Sequence, residues 1–573
     1  MQASRMALLF VLLVIGGAFI WWFRHRPSFL LYQANRALNS GNQAALVTNY
    51  QRALRKTNLP KEDEIRLRKA LGRIYLQTFQ NAHGVILFFK ETGDVESPYI
   101  GLAKKEFDRV LALEPNDSEA HYALGRILWF RRLETYAMEE FEKSRRSDPT
   151  FPEPLAFLAE ANLERGNATA ARELALQALA IAPGFGEARR TLVNAYAALG
   201  DYANVDKQYD LLSPDFKTHP QMMASYAYYL ALQNRWTECL ALMKDAERLA
   251  PNDGWVKITF GRMLLEQGRV DEAAGMFIQA GKVLPDSVWP RVHLTESFAL
   301  RGLCDEAVRA SQPLVETMPN WCWSPMMNAW TQLCRFEPDR ALFSLDEALR
   351  LAPDLREATF LKAHVLIDVM RFEELGNVVR LLLAEKRHES EANALLAESF
   401  LLQGKRDLAQ ETASAAIQTN QRNAHAYTVL GLARAQLKDR QGSDWAFEMA
   451  LGLRPFDAVV KGSKAFAESL YFQKAGAREE LKDLLSKNGG VSDLWLLWGD
   501  LNRQTGNYYE AETAYQNAAG LKPYLLKAHL GVMECAFKNE RNDSMDAALT
   551  SALRINSKNP EVLAWRKKIH ALR

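Results

Sequence analysis

The chain has 573 residues, of which 48% are hydrophobic and 24% charged, with 71 Lys and Arg against 69 Asp and Glu and a formal net charge of +2. That balance excludes a dedicated nucleic-acid binder, which carries a basic surplus. Gly and Pro together, about 9% of the residues, exclude collagen-like and low-complexity chains. Five cysteines are too few for a disulfide framework at this length, and an odd number cannot all pair within one chain.

Met6 to Phe23 is an eighteen-residue stretch without a charge, long enough to cross a hydrocarbon core. Trp21 and Trp22 close it, as interfacial aromatics do. A signal-peptide cut after Gly16 or Ala18 would leave Phe-Ile-Trp-Trp-Phe at the new terminus, so the segment reads as a retained N-terminal transmembrane anchor within residues 1–26. Arg5 precedes it; Arg24, Arg26 and Arg36 follow. This asymmetry places the body on the cytoplasmic side. Residues 1–90 carry thirteen Lys or Arg against three Asp or Glu, a bias that suits an anionic leaflet and equally a solvated basic face.

Residues 27–117 read as two helical-hairpin units. The first spans 27–60 with Gly41, Tyr50 and Ala53. The second spans 65–117 with Leu71-Gly72, Tyr75, Ala103, Phe107 and Pro115. An insertion at about 81–98 interrupts the second and contains the apolar run Val85 to Phe89. It is expected to fold back on the repeats, with a dip into the bilayer surface as the other reading.

From 118 to 559 a period of 34 runs without insertion or deletion through thirteen units. A proline marks the end of most units: Pro149, Pro183, Pro251, Pro285, Pro319, Pro353, Pro455 and Pro523. A small residue stands twelve positions earlier at Ala137, Ala171, Ala273, Ala307, Ala341 and Ala511, and a glycine seventeen earlier at Gly166, Gly268, Gly302 and Gly506. Trp495, Trp498 and Asn502 share one helical face, and Ala511, Tyr515 and Ala518 share the next. Each unit therefore predicts a helix, a tight turn and a second helix that the proline stops. The small residues let the two helices approach to about 8–10 Å. Residues 560–573 predict a C-terminal cap helix, which an open-ended array requires.

These markers resemble the tetratricopeptide repeat family. Leu124-Gly125, Ala137, Phe141 and Pro149 carry the resemblance in one unit, Gly261, Gly268, Ala273, Phe277, Ala280 and Pro285 in another, and Leu430-Gly431, Phe447, Ala450 and Pro455 in a third. The resemblance implies an all-α, right-handed superhelical solenoid of about fifteen repeats on one N-terminal membrane helix. Three units depart from it: Lys217 and Arg387 replace the proline, and 458–491 lacks both glycine and proline. These are expected hinges, or ordinary drift.

Catalytic signatures are missing. There is no phosphate-binding glycine loop, HExxH, GxSxG or CxxC. Cys304, Cys322 and Cys334 match no zinc spacing and read as small apolar residues. No enzyme activity, cofactor, metal or nucleic-acid partner is expected.

The family resemblance implies that positions 2, 5, 9 and 12 of each unit face a concave groove. Position 2 holds Trp255, Trp289 and Trp323 in successive units, position 5 holds Ile258, Val292 and Met326, and position 9 holds Arg262, Glu296 and Trp330. Stacked helices would set the three tryptophans about 10 Å apart, an apolar ladder for an extended or helical protein segment. In the other reading each Trp tucks against the preceding loop, at entries tightened by Pro290 and Pro325. Arg190 and Asn194 match the start of the family's carboxylate clamp, but Ser225, Trp255 and Thr259 stand where its remaining residues belong. The expectation is a membrane-anchored scaffold, in a bacterial inner membrane, that binds protein partners in its groove and supports assembly of a membrane or envelope complex. The alternative is an accessory subunit of polysaccharide synthesis or export, with the repeats outside the cytoplasm and the tryptophans stacked on a glycan.

Overall fold

A computed structural model describes residues 43–55, 59–83, 98–131 and 133–572, apart from the single positions 286, 386 and 456. The expected anchor at 6–23 and the run Val85 to Phe89 lie outside the described residues. Among the described residues no helix is long and apolar enough to cross a membrane.

The 34-residue period becomes two helices in every unit from 118 to 559, with a short third, Pro214–Lys217, in the unit 186–219. Gly254–Glu266 with Val270–Val283, and Ser492–Gln504 with Tyr508–Leu521, are typical. Every described residue in a regular element is helical. The chain is thus an all-α solenoid of helix–turn–helix repeats, consistent with the tetratricopeptide resemblance. It divides into two compact units, residues 1–154 and 155–573.

The turn has a backbone cause. In every unit from 118 to 559 except 458–491, the first helix ends with a hydrogen bond from the second residue beyond its cap back to a carbonyl of its last turn. Arg269 N–H reaches Leu264 at 2.9 Å, and Asn507 N–H reaches Asn502 at 2.8 Å. This closure requires a left-handed residue in between. Such residues recur at 34-residue steps, as Gly268 at φ 73° and Gly506 at φ 84° show. Asn234, Phe336, Met370, Lys438 and Glu540 adopt the same conformation without being glycine, at φ between 54° and 69°.

The pairing inside a unit also has a steric cause. Glycine in the first helix leaves room for an aromatic ring of the second. A Cβ on Gly261 would stand 2.5 Å from Phe277, and one on Gly125 2.5 Å from Phe141. Both rings are fully buried, each contributing about 1.5–3 kcal/mol. Ala137, Ala171, Ala273, Ala307, Ala341 and Ala511 are buried at the helix crossings.

Proline is not what sets the end of the second helix. Asp148, before Pro149, has φ −144° and ψ 96°. Asn420, before Gln421, has φ −144° and ψ 104°, and its helix Arg406–Thr419 has the same 14 residues as Glu134–Ser147. The three departing units differ more visibly. Their second helices, Tyr202–Asp210, Phe372–Ala384 and Ala477–Lys487, have 9, 13 and 11 residues.

In the first compact unit the helix Lys61–His83 runs 23 residues. It packs on Pro98–Leu113, with Gly72 against the Phe107 ring. Arg68 bonds Glu106 at 2.8 Å across the pair.

In the second compact unit distant repeats touch. Thr169 N–H donates to Asp354 at 2.7 Å, His388 Nε2 lies 3.0 Å from the Ala198 carbonyl, and Asn234 Nδ2 donates to the Arg422 carbonyl at 2.6 Å. Asn556 Nδ2 donates to the Val369 carbonyl at 2.9 Å. The partners are 185 to 190 residues apart, about five and a half repeat units. Successive superhelical turns are therefore in contact, and the concave face becomes the wall of a narrow lumen. Helix Pro560–Leu572 covers the last unit, with Val562 and Ile569 buried.

Candidate binding lumen

The first helices supply the lumen wall, because their position-9 side chains point away from the second helices that back them. Tyr228, Arg262, Glu296, His364 and Glu398 occupy this row. Residues of other offsets join them across the lumen. Arg262 Nη2 bonds Glu357 at 3.2 Å although 95 residues separate them, and lies over the Tyr228 ring at 4.1 Å. Arg356 stands 3.9 Å from Glu266 and over the Phe360 ring at 5.1 Å. The Arg262, Glu266, Glu357 and Glu296 side chains keep between 28% and 30% of their surface. They remain reachable by solvent but are surrounded by protein.

The electrostatics follow from that enclosure. Burial, reinforced by Glu266 and Glu357, pushes the Glu296 carboxyl up to about 7. Burial drives His293 and His388 down to about 3, so both imidazoles are neutral. Farther along, burial raises Asp368 to about 6 even though Lys522 pairs with it at 3.2 Å, and burial lowers His364 to about 4. A cavity of about 140 Å³ opens beside this wall between consecutive superhelical turns, lined by Asn234, Glu266, Arg356, Glu391, Arg422 and Arg454 among others.

The sequence-expected groove residues divide into two groups. Trp255, Trp289, Trp330 and Arg262 keep part of their surface, whereas Ile258, Val292, Trp323 and Met326 are buried, none more than 5% exposed. The expected ladder of open, evenly spaced tryptophans is corrected. Trp289 and Trp323 meet edge to face with ring centroids 5.1 Å apart, and Trp321 closes on Trp289 at 5.7 Å. Trp255 and Trp289 both pack against the cluster of Ile258, Phe277 and Leu284. Pro290 and Pro325, both buried in first turns, tighten the entries beside Trp289 and Trp323, while Trp255 packs on its neighbours from a helix without a first-turn proline.

Arg190 is engaged by Glu160 at 3.1 Å, and Asn194 accepts from the Tyr229 hydroxyl at 2.9 Å. Both lie on the lumen wall, tied to their neighbours. Cys239, Cys322 and Cys535 are buried, and burial pushes each thiol up to about 12.

Sequence reasoning missed Tyr202, Glu266, Arg356, Glu357 and Glu391. The position-9 offset, extended by steps of 34, finds Tyr228 and His364. The pairing of Arg262 with Glu357 leaves no local signal.

No protein-family model matches the chain, and no curated protein matches it. Among solved structures, a chain in "Crystal structure of APC/C hetero-tetramer Cut9-Hcn1" is similar at 13% identity, covering 96% of this chain and 98% of that one, with a TM-score of 0.43.

Proposed function

We propose that this chain is a membrane-anchored scaffold whose lumen wall holds segments of protein partners and so supports assembly of a membrane or envelope complex. The observation that carries the reading is the row of half-buried charged and aromatic side chains on the first helices. These groups line an enclosed concave face and are not consumed by the apolar packing between repeats. No catalytic step is assigned to them. Anchoring rests on the uncharged run from Met6 to Phe23, and a cytoplasmic body on the Arg24, Arg26 and Arg36 flank.

Two measurements test it. A photoreactive residue at position 330 should cross-link partners in intact membranes, while one at Phe343 on the exposed outer surface, 68% accessible, should not. Equal capture at both positions would overturn groove binding. Sidedness needs an added thiol, since Cys239 and Cys535 are buried. Tyr509→Cys, at a position 69% exposed, should react with an impermeant reagent only after the inner membrane is opened. Labelling before that step would reverse the orientation.

A further inference from the structure

Two of the five cysteines meet. Cys304 is the first residue of helix Cys304–Thr317, and Cys334 is the last residue of helix Trp323–Cys334 in the next unit. Their side chains are hydrogen-bonded to each other. A backbone contact fixes the same placement. Cys334 Sγ lies 3.7 Å from the Ala299 carbonyl, which also accepts the Gly302 N–H at 3.0 Å in the turn leading into Cys304. The register belongs to the array. One unit upstream Arg301 pairs with Asp271 at 2.7 Å. A step of 34 carries Asp271 and Arg301 onto Asp305 and Arg335, the residues that follow Cys304 and Cys334.

Access and position set this pair apart. Cys239, Cys322 and Cys535 are buried, whereas Cys304 and Cys334 keep part of their surface. Both sit at helix ends beside a hairpin turn, where the backbone can adjust to S–S geometry without breaking the middle of a helix. Burial, and then the contact with Cys304, pushes the Cys334 thiol up to about 12. Cys304 is therefore the first of the two sulfurs to react. Two residues beyond Cys334, Phe336 packs edge to face on His529 at a centroid distance of 6.2 Å. The pair thus lies where two successive units meet and where the next superhelical turn docks on them.

We infer that Cys304 and Cys334 are a modification site, closed into an intrachain disulfide by exchange with a low-molecular-weight disulfide. The Cys304 thiolate attacks one sulfur of the incoming disulfide, and the first thiol leaves. The Cys334 thiolate then attacks the Cys304 sulfur of the mixed disulfide, and the second thiol leaves. The two cysteine protons pass to the departing thiolates. Two cysteines are oxidised, and the incoming disulfide is reduced to two thiols. The product staples unit 288–321 to unit 322–355, the two that carry Trp289 and Trp323 on their first helices. The inference stands apart from the scaffold reading.

The test uses the purified full chain, reduced and then equilibrated with oxidised glutathione, with free thiols alkylated in denaturant. Oxidation should lower the alkylated thiols from five to three, and peptide mapping should recover one link, from Cys304 to Cys334. Cys334→Ser should stop at a glutathione adduct on Cys304. Oxidised wild type should melt higher than reduced wild type, and Cys304→Ser should show no such difference. Five alkylated thiols after oxidation, glutathione on both residues without a link, or a link that joins two chains or another cysteine would overturn the inference. The wild-type map decides this even where a variant does not fold.

Discussion

At the scale of single residues, two kinds of position carry the repeat geometry. The first is the glycine beneath an aromatic ring. Gly261→Ala would place a methyl group 2.5 Å from the buried Phe277 ring, so the expected cost is about 1–3 kcal/mol, read from urea denaturation. An unchanged midpoint would mean that the helices slide apart freely. The second is the left-handed turn residue. Glu540 is exposed at φ 58°, and Glu540→Gly should stabilise by about 0.5–1 kcal/mol. A loss of stability would show that its side chain has an unrecognised role. Glu296 adds a pH dependence. Its carboxyl titrates near 7 in the fold instead of at 4.5, so the native state holds a proton that the unfolded chain has released across that interval. The contribution of Glu296 to stability is therefore full below about 4.5 and declines as pH rises to 7. Glu296→Gln should flatten the decline and melt higher than wild type at pH 8. Much of this scale was legible in the sequence, because Gly261 with Phe277 recurs at multiples of 34 as Gly125 with Phe141 and Gly431 with Phe447, and Ala273 recurs as Ala137, Ala171, Ala307, Ala341 and Ala511. The facing of Arg262 and Glu357 was not. It depends on the small rotation added by each repeat, and no short window of sequence encodes that sum.

At the scale of elements, the helix hairpin is set by its turn and its crossing, and the terminal proline reinforces a stop that exists without it. The backbone before Gln421 matches the backbone before Pro149. Gln421→Pro should therefore be accommodated and raise stability by about 0.4–1 kcal/mol through the unfolded chain. A lower melting temperature would show that this loop is not proline-compatible. The three units marked as departures in sequence are the ones with second helices of 9, 13 and 11 residues. Two of them also sit on the contacts between superhelical turns: Gly200 lies against the His388 ring, and Arg387 bonds Asp354 at 2.7 Å. Their departure is tied to contacts with distant repeats, which a single unit's pattern does not contain. The tryptophan row has two readings, an open ladder and packing on the neighbouring unit, and the repeat spacing does not choose between them for a related reason. A 34-residue spacing fixes where a side chain starts, but its packing on neighbouring rings and helices fixes where it leans.

At the scale of the second compact unit, the array ceases to be one-dimensional. In an ordinary solenoid each repeat interacts with its neighbours alone, so stability is a sum along the chain. Here Thr169 with Asp354, Ala198 with His388, and Asn234 with Arg422 join repeats that are 185 to 190 residues apart. Removing residues 288–321 would keep the 34-residue frame but bring every one of these pairs out of register. Such a deletion should unfold less cooperatively and lose amide protection around 198–200 and 233–235. Retained protection there would mean that the turns can re-pair one unit out of step.

The spacing has a further consequence. Because a superhelical turn spans about five and a half units, the hairpin turns at Gly166, Gly200 and Asn234 each abut a loop that joins two units. Gly166 meets Ala352 and Leu355, Gly200 meets His388, and Asn234 meets Arg422. Had the turn held a whole number of units, like would face like, and one favourable contact could be copied with every duplicated repeat. With the half step, two kinds of loop must fit each other. A change in a hairpin turn is thus answerable to a sequence more than 180 residues downstream, and a newly duplicated repeat enters an array that already fixes which partner it must meet.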